Sequence, residues 1–131
     1  TTFKDSNAQE VADEAIAGYK ANIKQIETEF SNHIQTTKED IESNLMQLKS
    51  TLENEQMVYN DKCSTINESN EKNCNSFKKS LTELKNKVAK VESDLVNTEK
   101  ELNSEKKNEM EKAYINLKNY LNKLKVDSGE K

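Results

Sequence analysis

Proline is absent from this chain of 131 residues, and no glycine occurs between Gly18 and Gly129. Proline disfavours a helix interior by about 3 kcal/mol relative to alanine, and disordered chains are usually enriched in it. Only 32% of the residues are hydrophobic while 34% are charged, so the chain cannot fill a thick globular core. Together these features predict long helices that bury only a narrow apolar seam.

Apolar residues recur at alternating steps of three and four in both halves of the chain. This spacing is the seam of a coiled coil, whereas a strand needs a period of two. In the first half the seam residues are Val11, Ala15 or Ile16, Tyr19, Ile23, Ile26, Phe30, Ile34, Ile41, Leu45, Leu48, Leu52 and Tyr59. In the second half they are Phe77, Leu81, Leu84, Val88, Val91, Leu95, Leu102, Met110, Ala113 or Tyr114, Leu117, Leu121 and Leu124. The pattern predicts an all-α protein with two helical arms, at residues 8–62 and 75–126.

The segment between the arms is dense in Asn, Ser, Thr and Asp, which favour turns and helix caps. Cys63 and Cys74 flank it. In one continuous helix they would lie about 16 Å apart, beyond the ~7 Å Cα limit for a disulfide. In a hairpin they face each other, so we predict a disulfide that closes a turn over residues 63–74. Cysteines in this arrangement indicate an oxidising compartment and a secreted protein. The alternative is two free thiols on a cytosolic coiled coil.

The heptad phase slips once in each arm, between Ile34 and Ile41 and between Leu102 and Met110. If residues whose numbers add to about 137 face each other, the two slips coincide. This match favours a long antiparallel two-helix coiled-coil hairpin, a single helical domain over residues 1–131 with a flexible tail at 127–131. The alternative breaks the same arms near 35–37 and 103–105 into a four-helix bundle, because Thr36 and Ser104 resemble helix N-caps.

Nothing in the sequence suggests catalysis. His33 is the sole histidine, and its place beside the seam is that of a rim residue. There is no Ser/His/Asp or Cys/His arrangement and no glycine-rich phosphate loop. We therefore expect no enzyme, no catalytic residue, no metal site and no cofactor.

The charges of the chain also restrict its partners. All 20 basic residues are lysine, and without the arginine fork or a basic run we expect no nucleic-acid binding. No apolar run reaches the ~18 residues of a membrane span.

The apolar face is widest at the end of the hairpin away from the turn, the open end. A two-stranded seam cannot bury all the apolar side chains at this end, and tyrosine is enriched at interfaces. We predict that the open end docks a protein partner or a second copy, through Tyr19, Ile23, Tyr114, Leu117 and Tyr120. The alternatives are chain ends that fold over and cover this face, carriage of a lipid or small amphiphile there, and a mechanical coiled-coil spacer.

The tripeptide Asn67-Glu68-Ser69 matches the N-glycosylation pattern and lies at the predicted turn, which makes Asn67 a candidate glycan acceptor. In composition over the whole chain, the protein resembles small secreted helical proteins of insects, such as salivary and haemolymph proteins, which hold helices with few disulfides. This resemblance implies secretion and assigns no site residues.

Overall fold

The computed structural model describes residues 2–129, and in this range it contains two long α-helices and no strand. Helix α1 spans Ser6–Lys62 and helix α2 spans Glu71–Asp127. The helices pack against each other, and a disulfide between Cys63 and Cys74, with Cα atoms 6.0 Å apart, joins them at the turn. The predicted all-α hairpin and its disulfide are thereby confirmed.

Both helices continue without interruption through the places where the four-helix alternative would break them. Helix α1 includes residues 35–37, and helix α2 includes residues 103–105. Thr36 and Ser104 can act as caps, but no proline or glycine adjoins them to end a helix. The cap-like residues are therefore accommodated inside helices whose apolar seams continue on both sides.

Hydrogen bonds set where the helices begin. At the start of α1, Asp5 accepts the Asn7 N–H on Oδ1 at 3.0 Å, which is an N-cap contact. Helix α2 begins at Glu71, four residues before the predicted second arm, so Cys74 lies in its first turns. The Glu71 N–H already donates to the Asn67 carbonyl at 2.9 Å. The turn is therefore shorter than predicted because Asn67 caps the segment that leads into α2.

The predicted flexible tail at residues 127–131 overlaps the described residues only in part. Asp127 is the last residue of α2. Ser128 continues the hydrogen bonding, since its N–H donates to the Leu124 carbonyl at 2.9 Å. Gly129 has a φ of +75°, the left-handed conformation that commonly ends a helix. Residues 130 and 131 lie outside the described range.

Contacts within the chain group its residues into two compact units. The terminal unit comprises the described residues of Thr1–Ile34 and Glu101–Lys131, and the turn unit comprises Gln35–Lys100. The boundary falls at the positions where the heptad phase slips in each arm.

The turn unit is held by the disulfide and by a short row of buried side chains. Cys74, Leu81 and Val88 are buried on α2. Next to the disulfide, the rings of Tyr59 and Phe77 pack with their centroids 5.7 Å apart.

The terminal unit has a small core in which the chain before α1 takes part. Its buried members are Phe3, Ala8, Ala12 and Leu121, and Ile16, Leu117 and Leu124 pack against them. The Phe3 N–H donates to Gln9 Oε1 at 2.6 Å, and the Lys125 ammonium lies 5.9 Å from the centre of the Phe3 ring. Phe3 thus covers the end of the seam, and exposed apolar surface remains on the flanks of the unit.

Candidate binding site

Two grooves lie on opposite flanks of the seam in the terminal unit, and Tyr19 and Leu117 line both of them. The opposite placement follows from helical periodicity. On α1, residues 11, 15, 18 and 22 line one groove, and residues 16 and 20 line the other. Within each set the residues are three or four positions apart, so they share one face of the helix. The two grooves differ in side-chain size and in charge, so each is a separate candidate site.

The first, the small-residue groove, has a volume of about 510 Å3. Its lining includes Val11, Ala15, Gly18, Ala113, Leu117 and Tyr120. Val11 is 38% exposed and Tyr120 is 48% exposed. A Cβ atom added at Gly18 would meet nothing within 4 Å. The groove therefore has a low floor of small residues between two exposed apolar side chains.

The second, the lysine-rimmed groove, has a volume of about 330 Å3. Its apolar lining comprises Ile16, Tyr19, Tyr114, Leu117 and Leu121, and its charged lining comprises Lys20, Lys118 and Lys125. The rings of Tyr19 and Tyr114 meet edge to face with centroids 6.4 Å apart. No carboxylate lines this groove.

The predicted contact residues are thus divided between the two flanks. Tyr114 lines only the lysine-rimmed groove and Tyr120 only the small-residue groove, while Tyr19 and Leu117 lie between them. Ile23 is half-buried and lines neither groove.

Sequence reasoning missed two features of these grooves. Gly18 gave a usable signal, because a glycine in a helix interior costs about 1 kcal/mol relative to alanine. Such a residue points to a local packing or binding reason. The three lysines of the second groove gave no signal in the sequence, since they are scattered over two helices among many other lysines.

A groove in the turn unit offers a comparison. It has a volume of about 530 Å3 and is lined by Phe77, Leu81 and Leu84. Its charged lining comprises Glu55, Glu83 and Lys87. Acids and a base are mixed there, as is usual for a solvated helical face.

At the turn, Asn67 is exposed and its side-chain oxygen is fully engaged. Asn67 Oδ1 accepts hydrogen bonds from the N–H groups of Ser69 and Asn70, at 2.9 and 3.2 Å, and from the Ser69 hydroxyl. The Asn70 side-chain amide donates to the Thr65 carbonyl at 3.0 Å. These bonds shape the turn around the tripeptide, and its asparagine lies at the surface.

Residues 2–129 contain no group of three His, Cys, Asp or Glu side chains that could hold a metal ion. His33 is exposed on α1. In the same range, no helix combines the length and the apolar character needed to cross a bilayer. No protein-family model matches the chain, and comparisons with curated proteins and with solved structures found no match.

Proposed function

We propose that this chain is a non-catalytic binding protein whose terminal unit accepts a helix of a protein partner in the small-residue groove. The observation that carries the proposal is the low floor at Gly18 between the exposed side chains of Val11 and Tyr120. Removing such apolar surface from water is favourable by about 25 cal/mol per Å2, and this term offsets the entropic cost of association. A helical hairpin with apolar side chains beside its seam gains this energy by packing a further helix.

The shape of the floor favours a helix as the occupant. Helix axes normally pack 8–10 Å apart, and small residues permit the closer end of that range. Ala15 and Gly18 on α1 and Ala113 on α2 all line the groove. The lining runs from Val11 to Asn22, a rise of about 16 Å or three helical turns. An amphipathic helix with apolar residues at i, i+3, i+4 and i+7 would cover this length.

Photo-crosslinking tests the proposal on the oxidised full-length chain. A benzophenone amino acid at position 120 should crosslink to a helical segment of one protein in the extracellular fluid of the source organism. The control places the same group at Val96, which is 64% exposed in the turn unit. Equal crosslinking from positions 96 and 120 would contradict the proposal.

Two substitutions at Gly18 then test how the identified segment binds, with its affinity as the measured quantity. Gly18→Ala should weaken binding by no more than about twofold, because a methyl group fills only a small part of the groove that the partner helix occupies. Gly18→Gln should weaken binding by about tenfold or more, because its side chain occupies the floor. If sedimentation shows self-association that Tyr120→Glu abolishes, the occupant is a second copy of this chain.

We propose further that the protein is secreted and carries a glycan on Asn67. The Cys63–Cys74 disulfide supports an oxidising compartment, and Asn67 is exposed within its acceptor tripeptide. Expression through a eukaryotic secretory pathway should add a mass that a glycan-releasing amidase removes. Asn67→Gln and Ser69→Ala should both abolish that mass. A secreted, oxidised product without added mass would contradict the glycan assignment alone.

A further inference from the structure

The lysine-rimmed groove combines an apolar floor with charge of a single sign. Ile16, Leu117 and Leu121 are at least partly buried, and the Tyr19 and Tyr114 rings extend the apolar surface. Lys20, Lys118, Lys125 and Asn122 complete the lining, which has no carboxylate. Lysine adds apolar surface along its stem and places its charge at the tip. The groove therefore presents an apolar strip with ammonium groups at its edge.

The three lysines have no ion-pair partner among the described residues. Within residues 2–129, the ion pairs are Lys38–Glu99 and Lys112–Glu109, both away from this groove. Most charges on this chain alternate in sign along the helix faces. A groove lined by three lysines and no carboxylate departs from that pattern. The electrostatic complement of this surface is an anion.

The Lys125 ammonium lies close to a side chain of the terminal unit's core. It is 5.9 Å from the centre of the Phe3 ring, within the range of a cation–π contact. Phe3 belongs to the buried cluster that also contains Leu121. One cation is thus held beside the apolar strip, while Lys20 and Lys118 are exposed and adaptable.

The size of the groove is within the range of small-molecule sites. Its volume of about 330 Å3 lies at the small end of the ~300–1,000 Å3 that small-molecule sites occupy. A protein partner normally covers about 800 Å2 on each side of an interface. The groove is therefore of the size of one acyl chain, with the anionic head at the lysines.

We propose that the lysine-rimmed groove binds a free fatty acid anion, with its chain along Ile16, Leu117 and Leu121 and its carboxylate among Lys20, Lys118 and Lys125. This site is distinct from the small-residue groove on the other flank. Because Tyr19 and Leu117 line both grooves, substitutions at these two positions cannot separate the sites. Lys118 lines only the lysine-rimmed groove and is the residue to vary.

Equilibrium dialysis with radiolabelled dodecanoate, below its micelle concentration, tests the proposal on the oxidised full-length chain. We expect saturable binding of one dodecanoate per chain. Lys118→Glu should weaken it by about tenfold or more, since it replaces a charge-assisted contact with a repulsive charge. The matched control is Lys123→Glu, which makes the same charge change on an exposed position of α2 outside the groove and should leave binding unchanged.

Two further probes identify the chemistry that is recognised. Dodecanol has the same chain without the charge and should bind about tenfold more weakly or worse. Raising the salt concentration to 0.5 M should weaken dodecanoate binding, because the Debye length falls from about 8 Å at 0.15 M towards the ~3 Å of 1 M salt. Circular dichroism of each variant confirms that the helices are retained.

Several outcomes would overturn the assignment. They are the absence of saturable dodecanoate binding, equal affinity for dodecanol, or equal effects of Lys118→Glu and Lys123→Glu. Phosphatidylglycerol vesicles that bind the chain when monomeric dodecanoate does not would show that the lysines recognise a lipid surface instead.

Discussion

Lys38 on α1 and Glu99 on α2 form an ion pair across the two helices, with Nζ and Oε1 3.6 Å apart. Their residue numbers add to 137, as do those of the disulfide partners Cys63 and Cys74. The register set at the turn is therefore kept as far as this pair. Within the turn unit, α1 and α2 advance by equal numbers of residues from the disulfide.

We predict that the Lys38–Glu99 pair contributes only a small coupling energy. The side chains are 34% and 40% exposed, and exposed ion pairs typically contribute about 0.2–1 kcal/mol. A double-mutant cycle with Lys38→Ala and Glu99→Ala, followed by urea unfolding, should give a coupling in that range. The coupling should fall towards zero in 0.5 M salt because the charges are then screened. A salt-independent coupling would contradict a surface ion pair.

Opening the disulfide should lower stability without removing the helices. The bridge spans a sequence separation of 11 residues, and closing a loop of that length stabilises the folded state by about 3 kcal/mol in the chain-entropy model. We expect the melting temperature to fall by on the order of 10 °C while the helical circular dichroism signal at 20 °C remains. Reduced wild type and the Cys63→Ala/Cys74→Ala variant should agree, and an unchanged melting temperature in both would refute the prediction.

Ala12 should not tolerate a larger side chain. It is 0% exposed in the cluster that contains Phe3 and Leu121, and overpacking of such a site usually costs about 1–3 kcal/mol. Urea unfolding of Ala12→Leu should show this loss. The matched control is Ala17→Leu, because Ala17 is exposed on the same helix and leucine is nearly as good a helix former as alanine. Equal stability of the two variants would mean that Phe3 does not close over Ala12 in solution.

Gly18→Ala should stabilise the protein. Glycine in a helix interior is less favourable than alanine by about 0.5–1 kcal/mol, and the added methyl group meets nothing within 4 Å. Thermal unfolding should show a gain of this size. A loss of stability would indicate that the two helices approach more closely at Gly18 than the structure shows.

The sequence was sufficient to predict the helices and the turn because both depend on local or periodic signals. Steps of three and four define the seam, and Cys63 and Cys74 can meet only if the chain reverses between them. The start of α2 was predicted four residues late, because the decisive bonds are made by Asn67 in a segment rich in residues that all favour turns.

The candidate grooves were less accessible to sequence reasoning. The packing of Phe3 depends on Ala8 and Ala12, five and nine residues further along the chain, and on Leu121 from the other helix. The lysine rim combines Lys20 of α1 with Lys118 and Lys125 of α2. No spacing within one helix signals such a combination, whereas the tyrosines stood out because aromatic residues are rare in this chain.

The distribution of aromatic rings gives the protein a built-in spectroscopic label. The chain has no tryptophan and four tyrosines, of which Tyr59 packs on Phe77 in the turn unit while Tyr19, Tyr114 and Tyr120 belong to the terminal unit. Tyr59→Phe would therefore confine all tyrosine emission to the terminal unit. Emission and helical circular dichroism recorded during one denaturant titration would then show whether the two units melt together or in succession.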